Sequence, residues 1–329
     1  MPHILLLGAG FSRNWGGWLA DEAFEYLLGA PQIDDGLRTL LWRYKGKGGF
    51  EAALGELQTE TVQHFTVPLL DHVQRLDEAI RGMFEEMDKA FATIRDFDFQ
   101  NSLALSVTSF LTEFDAIFTL NQDLLLERQY LTDNLAMLLY PKRTGWQIPG
   151  MEPIPMLSGK PLSALPTLGP MDPSKFAVEK NLQPYFKLHG SSNWVDRSSG
   201  RPMLVVGGNK PSAIARHKIL EWNHEQFKAY LSKPETRLMV IGYSFGDEHI
   251  NVAIRDAAEN GTLKLFIIDP LGVDVLGKNR LAPPGYLPEK LQPHLIGASR
   301  RTLRETFGGD MVEHGKVMRF FTPHFHFER

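Results

Sequence analysis

One stretch of this 329-residue sequence constrains the fold more than any other: residues 238–251, which read LMVIGYSFGDEHIN. An apolar, partly β-branched run stops at Gly242, and a polar segment able to start a helix follows. That order is typical of a buried parallel strand leading into a helix. Residues 3–12 (HILLLGAGFS) and 115–123 (DAIFTLNQD) repeat it, and residues 185–193 (YFKLHGSSN) run from a strand-like segment into a His-Gly turn. We therefore predict an α/β fold with a Rossmann-like, mostly parallel sheet and one site at the carboxyl ends of its strands.

The domain organisation follows from the segments between these strands. We predict a single domain over residues 1–329. Residues 30–110 lack a strand pattern and carry apolar residues at helical spacing, which predicts a helical insertion within that domain. Residues 141–180 are rich in proline and glycine, so we expect a long loop without regular elements that lies on the domain or covers the site.

Composition excludes several classes of function. The chain has no cysteine, so it forms no disulfide framework, no thiolate nucleophile and no cysteine-ligated zinc site. Its net charge is −4 without a long basic block, and we expect no direct nucleic-acid binding by this chain. It also lacks a signal-peptide pattern and any apolar run of the roughly 20 residues that a membrane span needs. We expect a cytoplasmic protein that does not bind membranes.

The segment after the first strand is half of a nucleotide-binding unit. Gly8-Ala9-Gly10 would let the backbone approach a phosphate, and a helix start would supply N–H donors. Arg13 stands where the full dinucleotide motif has its third glycine, so the motif alone marks either a tight turn or a phosphate cradle.

Three polar side chains at predicted strand ends are candidates for chemistry. The Asn121 amide can hold a water or a ribose hydroxyl, with Asp123 accepting hydrogen bonds at the helix start, although both residues are also common helix caps. His189 lies in a turn after a strand and could act as a general base.

Two further sequence patterns suggest other kinds of site, a serine nucleophile and a metal site. Ser244 lies in a Gly-x-Ser-x-Gly sequence typical of a hydrolase nucleophile, but the His-Gly turn precedes it, whereas a hydrolase serine is followed by its acid and then its histidine. The pairs His217/His224 and His324/His326 have neither cysteine nor a carboxylate at ligand spacing, so we expect no metal.

Taken in order, the motifs GAGFS, TLNQD, KLHG and VIGYSFGDEHIN resemble those of the sirtuin-like superfamily, and in detail its bacterial NADase branch. The resemblance spans residues 3–269. It implies a Rossmann-type fold with NAD as the substrate.

The resemblance also implies a role for each motif. The pyrophosphate would be held by Gly8, Ala9, Gly10 and Ser12. Asn121 and Asp123 would line the pocket near the nicotinamide ribose, where His189 would act as base. Gly242 and Ser244 would meet the far ribose and the phosphates, and Asp269 would end a strand near the adenosine.

The chain departs from the protein deacylases of that superfamily. Those enzymes carry a small zinc module built on four cysteines, and they have Asn-Ile-Asp where this chain has Asn121-Gln122-Asp123. Water is therefore the expected acceptor, and the expected function is NAD⁺ hydrolysis to nicotinamide and ADP-ribose. A non-catalytic module that binds NAD or ADP-ribose is the alternative from another class, and an NAD-dependent protein deacylase is a third.

Partners follow from the resemblance alone. Members of this branch are commonly anti-phage effectors that deplete NAD when triggered. Short stand-alone members resemble those that assemble with a HerA-type ATPase, so we expect a homo-oligomer with such a partner and an activity that is latent in the isolated chain.

Overall fold

The computed structural model describes residues 1–100, 102, 105–155, 165–207, 210–277 and 286–322. The strands in these ranges are β1 (His3–Leu7), β2 (Ala116–Thr119), β3 (Gly145–Gln147), β4 (Met151–Pro153), β5 (Leu168–Pro170), β6 (Leu182–Lys187), β7 (Gly190–Val195), β8 (Pro202–Leu204), β9 (Arg237–Ile241), β10 (Lys264–Ile268) and β11 (Leu295–Ser299). The α-helices are α1 (Ala9–Ser12), α2 (Ala20–Leu28), α3 (Asp35–Arg43), α4 (Gly49–Gln63), α5 (Val67–Phe91), α6 (Val107–Thr112), α7 (Leu125–Gln129), α8 (Leu135–Leu139), α9 (Lys210–Ala215), α10 (Lys218–Leu231), α11 (Glu248–Asn260), α12 (Tyr286–Leu291), α13 (Leu303–Gly308) and α14 (Met311–Met318).

Seven strands form one parallel sheet in the order β11-β10-β9-β1-β2-β6-β3. This confirms the predicted Rossmann-like α/β fold. The first strand lies at the centre, with β2 on one side and β9 on the other. Strand order therefore reverses at β1, and in open α/β sheets this switch point is where ligands bind.

Alternation along the central strand explains the two helical layers. Leu5 and Leu7 belong to one hydrophobic core, together with residues of α2–α8, α13 and α14. Ile4 and Leu6 point to the opposite face and belong to a second core with α10, α11 and α12. Both faces of the sheet are covered, which is why the strands are continuous apolar runs.

The helices α3, α4 and α5 occupy residues 35–91, inside the segment predicted as a helical insertion. The longest, α5, begins where the Thr66 side chain accepts a hydrogen bond from the Leu69 N–H, and its buried stripe includes Leu76, Ile80 and Met83. These residues join the core on the Leu5 and Leu7 face of the sheet.

The proline- and glycine-rich segment corrects our expectation that no regular element lies there. Strand β3 pairs with β6 at the edge of the main sheet, and β4 and β5 join β7 and β8 in a second sheet of four strands. Strands of three residues give no periodic signal, and Pro153 and Pro170 end β4 and β5, so both prolines looked like loop residues. Residues 156–164 of the predicted loop lie outside the described residues.

Within the described ranges, none of the helices combines the length and the apolar character that crossing a membrane requires.

Candidate functional site

All ten residues predicted for the site follow strands of the parallel sheet, at its carboxyl edge. Five contiguous strands contribute: β10, β9, β1, β2 and β6. Their contributions are Asp269 after β10; Gly242 and Ser244 after β9; Gly8, Ala9, Gly10 and Ser12 after β1; Asn121 and Asp123 after β2; and His189 after β6.

The glycines after β1 and β9 join two turns to each other. The Gly8 N–H donates to the Ile241 carbonyl (3.0 Å), and the Gly10 N–H donates to the Gly242 carbonyl (2.9 Å). A Cβ at Gly10 would lie 2.7 Å from the Gly242 Cα, and one at Gly242, where φ is +63°, would lie 2.4 Å from the Gly10 carbonyl carbon. Close backbone contact across the switch point therefore requires these glycines, and on this turn the exposed residue is Ala9.

Ser12, Asn121 and Asp123 form a short chain of hydrogen bonds between the ends of β1 and β2. The buried Ser12 hydroxyl donates to the Asp123 Oδ2 (2.8 Å) and accepts from the Asn121 Nδ2 (3.0 Å). These bonds fix the amide with its nitrogen toward Ser12. Among the described residues the Asn121 Oδ1 has no protein partner, so it is free to accept a hydrogen bond from a ligand or water.

A buried ion pair adjoins the hydrogen bonds of Ser12, Asn121 and Asp123, and the sequence did not predict it. The fully buried Lys187 Nζ donates to the Glu127 Oε1 (2.6 Å) and to the Asp123 backbone carbonyl (2.5 Å). Burial raises the pKa of both Asp123 and Glu127, and the Lys187 charge offsets part of that rise. We call Ser12, Asp123, Glu127 and Lys187 the carboxylate network.

The turn after β6 fixes the position of His189. Gly190 has a φ of +77°, and a Cβ there would lie 1.9 Å from the Met203 carbonyl oxygen, so only glycine fits after the histidine. The His189 carbonyl accepts from the Val205 N–H (3.0 Å), which anchors the turn to the chain beyond β8. Burial lowers the pKa of His189 well below its usual value, and the ring is therefore uncharged at neutral pH.

His189 is one of three histidines that meet at this edge, and we call His189, His224 and His249 the histidine cluster. The His189 Nε2 lies 3.0 Å from the His249 Nε2, and one ring nitrogen of each of the three lies within 4.8 Å of the other two. Burial lowers the pKa of His224 to about 4 and also lowers that of His249.

The pair His217/His224 contributes one member, His224, to this cluster. His217 instead lies 3.4 Å from Asp196, and His324 and His326 lie outside the described residues. The three members come from the β6 turn, α10 and α11, so no fixed spacing connects them.

The turn between β9 and α11 is built around buried polar residues. The Tyr243 hydroxyl donates to the Asn251 Oδ1 (3.0 Å) and accepts from the Asp247 N–H (3.0 Å). Asp247 pairs with Lys210 (2.8 Å), which also pairs with Glu51 of α4 (2.9 Å). Burial alone would raise the pKa of Asp247, but the charge and the hydrogen bond of Lys210 act against it and the pKa is lowered, so Asp247 is ionised.

The remaining predicted residues lie at the rim of the site. Ser244 is exposed, and no hydrogen bond joins its hydroxyl to a histidine among the described residues, which weighs against a serine nucleophile. The Asp269 Oδ1 accepts from the Leu271 N–H (2.8 Å), so this carboxylate shapes the turn after β10.

A family model for the SIR2-like domain matches residues 115–280, which make up half of the chain. This chain belongs to the SIR2-like family. The match runs from β2 to beyond β10 and includes Asn121, Asp123, His189, Gly242, Ser244 and Asp269. The SIR2-like family uses NAD and belongs to the sirtuin superfamily, so the activity of this chain is NAD-related.

Comparison with individual proteins adds little to the SIR2-like assignment. A solved structure described as "The Structural basis for Sirtuin Substrate affinity" aligns with 95% of this chain and 93% of that chain, at 12% identity and a TM-score of 0.31. No curated protein matches the sequence significantly.

Proposed function

We propose that this SIR2-like chain is an NAD⁺ hydrolase that cleaves NAD to nicotinamide and ADP-ribose. One observation carries the proposal: an open amide oxygen and a buried, uncharged imidazole stand at equivalent positions beyond two neighbouring strands. Thr119 of β2 is paired with Lys187 of β6, and Asn121 and His189 each lie two residues further along. An acceptor that can orient water and a group that can take a proton thus share one edge of the sheet.

The reaction suits these residues because nicotinamide in NAD is already a cationic leaving group. Breaking its bond to the ribose passes through an oxocarbenium-like state and needs no strong general acid. Asn121 accepts a hydrogen bond from the attacking water through its Oδ1, while Ser12 holds the amide nitrogen at 3.0 Å. His189, kept neutral by burial, accepts a proton from that water or from a ribose hydroxyl.

The polar groups left open at the site fit a sugar better than a phosphate. The Asn121 Oδ1 and the exposed Ser244 hydroxyl can both bond to ribose hydroxyls. In the predicted pyrophosphate loop, the N–H groups of Gly8 and Gly10 already donate to backbone carbonyls. Ala9 is the member of that loop through which we expect phosphate contact.

A non-catalytic module that binds NAD or ADP-ribose is the second candidate, and one contact favours it. The His189 Nε2 is already 3.0 Å from the His249 Nε2. If that bond occupies the lone pair of His189, the ring has no base to offer at this atom. The deacylase alternative is weaker, because a chain without cysteine cannot build the four-cysteine zinc module of those enzymes.

The test is nicotinamide release from NAD by the purified chain, with Asn121→Ala and His189→Ala beside it. We expect each variant to lose about 10²- to 10⁴-fold in rate while NAD binding largely survives. The exposed residues Asn260 and His64 provide matched controls, Asn260→Ala and His64→Ala, which should keep the parental rate. Full activity in either site variant removes that residue from the mechanism. NAD binding without release by the parent, both alone and with a HerA-type ATPase added, would favour the binding module.

We further propose a cellular role, for which the motif resemblance is the support. The chain would act in the cytoplasm as the NAD-depleting effector of a bacterial anti-phage defence system, assembled as a homo-oligomer and held inactive until a HerA-type ATPase triggers it. Light scattering of the chain with and without such an ATPase tests the assembly. A strictly monomeric chain in both samples would contradict it.

A further inference from the structure

The histidine cluster has the donor set of a metal site. His189, His224 and His249 each offer one ring nitrogen, and these three atoms lie within 4.8 Å of one another. Imidazole is a ligand for zinc and neighbouring transition metals, and three protein ligands with one open position are typical of a reactive zinc site. Because the three rings come from separate elements, the fold itself holds them together.

A backbone carbonyl fixes the tautomer of one of the three rings. The His224 Nε2 lies 2.9 Å from the Leu188 carbonyl, which can only accept a hydrogen bond, so this nitrogen carries the hydrogen. The lone pair of His224 is therefore on Nδ1. A backbone carbonyl that fixes the tautomer of a ligand is a common feature around protein-bound metals.

Hydrogen bonding within the protein does not account for all of these rings. The cluster has six ring nitrogens, and the described residues provide partners for the Nε2 atoms only. The three Nδ1 atoms are therefore available to a ligand or to water.

One carboxylate beside the cluster would offset part of the charge of a bound cation. Asp247 acts electrostatically on all three rings. Lys210, which pairs with Asp247, acts in the opposite direction on His189 and His249, and Lys228 does so on His224 and His249.

We propose that His189, His224 and His249 bind one transition metal ion of the Zn²⁺ class, and that the bound ion switches the enzyme off. The ion takes the lone pair that His189 needs to accept a proton. The second half of this proposal rests on the proposed hydrolase function, whereas the binding half does not.

Binding is tested on the full chain, stripped of metal, by calorimetry with Zn²⁺ and by the visible absorption of Co²⁺. We expect one ion per chain, with nitrogen ligands in the Co²⁺ spectrum, and no comparable binding of Mg²⁺, which prefers oxygen ligands. His224→Ala and His249→Ala should each weaken Zn²⁺ binding by at least about tenfold to 100-fold, and His64→Ala should not. The two variants alter different helices, so if one variant fails to fold, Zn²⁺ binding by the other still tests the site. Absent Zn²⁺ binding, or parental affinity in both variants, overturns the site.

Switching is tested by nicotinamide release with and without saturating Zn²⁺, followed by a chelator. We expect a loss of at least about tenfold that the chelator reverses, with half-inhibition at the dissociation constant measured by calorimetry. Full activity at saturation overturns the switch while leaving the site intact. Zn²⁺ binding by a chain that releases no nicotinamide, either alone or with a HerA-type ATPase added, overturns the proposed hydrolase and the switch with it, and only the metal site survives.

Discussion

The carboxylate network and the histidine cluster adjoin each other, with Lys187 and His189 only two residues apart, yet they are built on opposite principles. The network buries an ion pair in which Lys187 donates to the Glu127 carboxylate (2.6 Å), and its other bonds run from Lys187 to the Asp123 carbonyl (2.5 Å) and from the Ser12 hydroxyl to the Asp123 carboxylate (2.8 Å). The cluster buries rings that are uncharged, and half of their nitrogens lack a protein partner among the described residues. The network therefore holds β2, α7 and β6 together, whereas the cluster keeps ring nitrogens that a ligand can bind.

The largest effect expected from this difference is on stability. Lys187→Met leaves the Glu127 carboxylate buried without its cation, and breaking a buried pair in this way costs about 3–5 kcal/mol. Urea unfolding measures the loss, and Lys180→Met at an exposed position is the control. Adding Glu127→Leu to Lys187→Met should recover most of the loss, because an apolar pair of similar volume often replaces a buried ion pair without cost. A single-variant loss below about 1 kcal/mol would mean that the network does not bear on stability.

A smaller effect is expected at the hydroxyl that links the network to Asn121. Ser12→Ala removes the donor to the Asp123 Oδ2 and the acceptor for the Asn121 Nδ2, and leaving such groups unsatisfied costs about 1–3 kcal/mol. The same variant should slow nicotinamide release, because the amide loses its anchor. Ser232→Ala on the surface should change neither value. An unchanged rate in Ser12→Ala would show that Asn121 does not need this hydrogen bond.

The smallest change in stability is expected in the histidine cluster. His249→Leu removes one neutral hydrogen bond to His189 and strands no charge, so the free energy of unfolding should fall by only about 0.5–1.5 kcal/mol. The same urea titrations measure it. A loss as large as that of Lys187→Met would abolish the distinction between the two regions and make the cluster a structural element.

The core strands could be predicted from sequence because their signal is local. The apolar runs at the start of residues 238–251 and 115–123 predict strands, and the structure has Arg237–Ile241 and Ala116–Thr119. Buried on both faces, these strands are unbroken apolar runs that end where the polar site begins. The same logic placed the ten site residues at one edge of the sheet, while their roles stay predictions.

The features that sequence patterns missed depend on tertiary contacts. Strand β3 has three residues, and only its pairing with β6 makes it regular. His224 lies in α10, where the spacing of apolar residues indicates only which face of the helix is buried. Nothing in the sequence relates it to His189, which lies 35 residues earlier, or to His249, which lies 25 residues later. Lys187 lies in a segment whose pattern is strand-like, but its burial beside Glu127 follows only from the packing of β6 against α7.

Lys210 forms two ion pairs that connect helix α4 to the turn before α11. Its ammonium pairs with Glu51 on α4 and with Asp247, the residue before α11. Any movement of α4 relative to the start of α11 must stretch or break one of these contacts near the histidine cluster. The site is thus mechanically coupled to α4, a helix that contributes none of the predicted site residues.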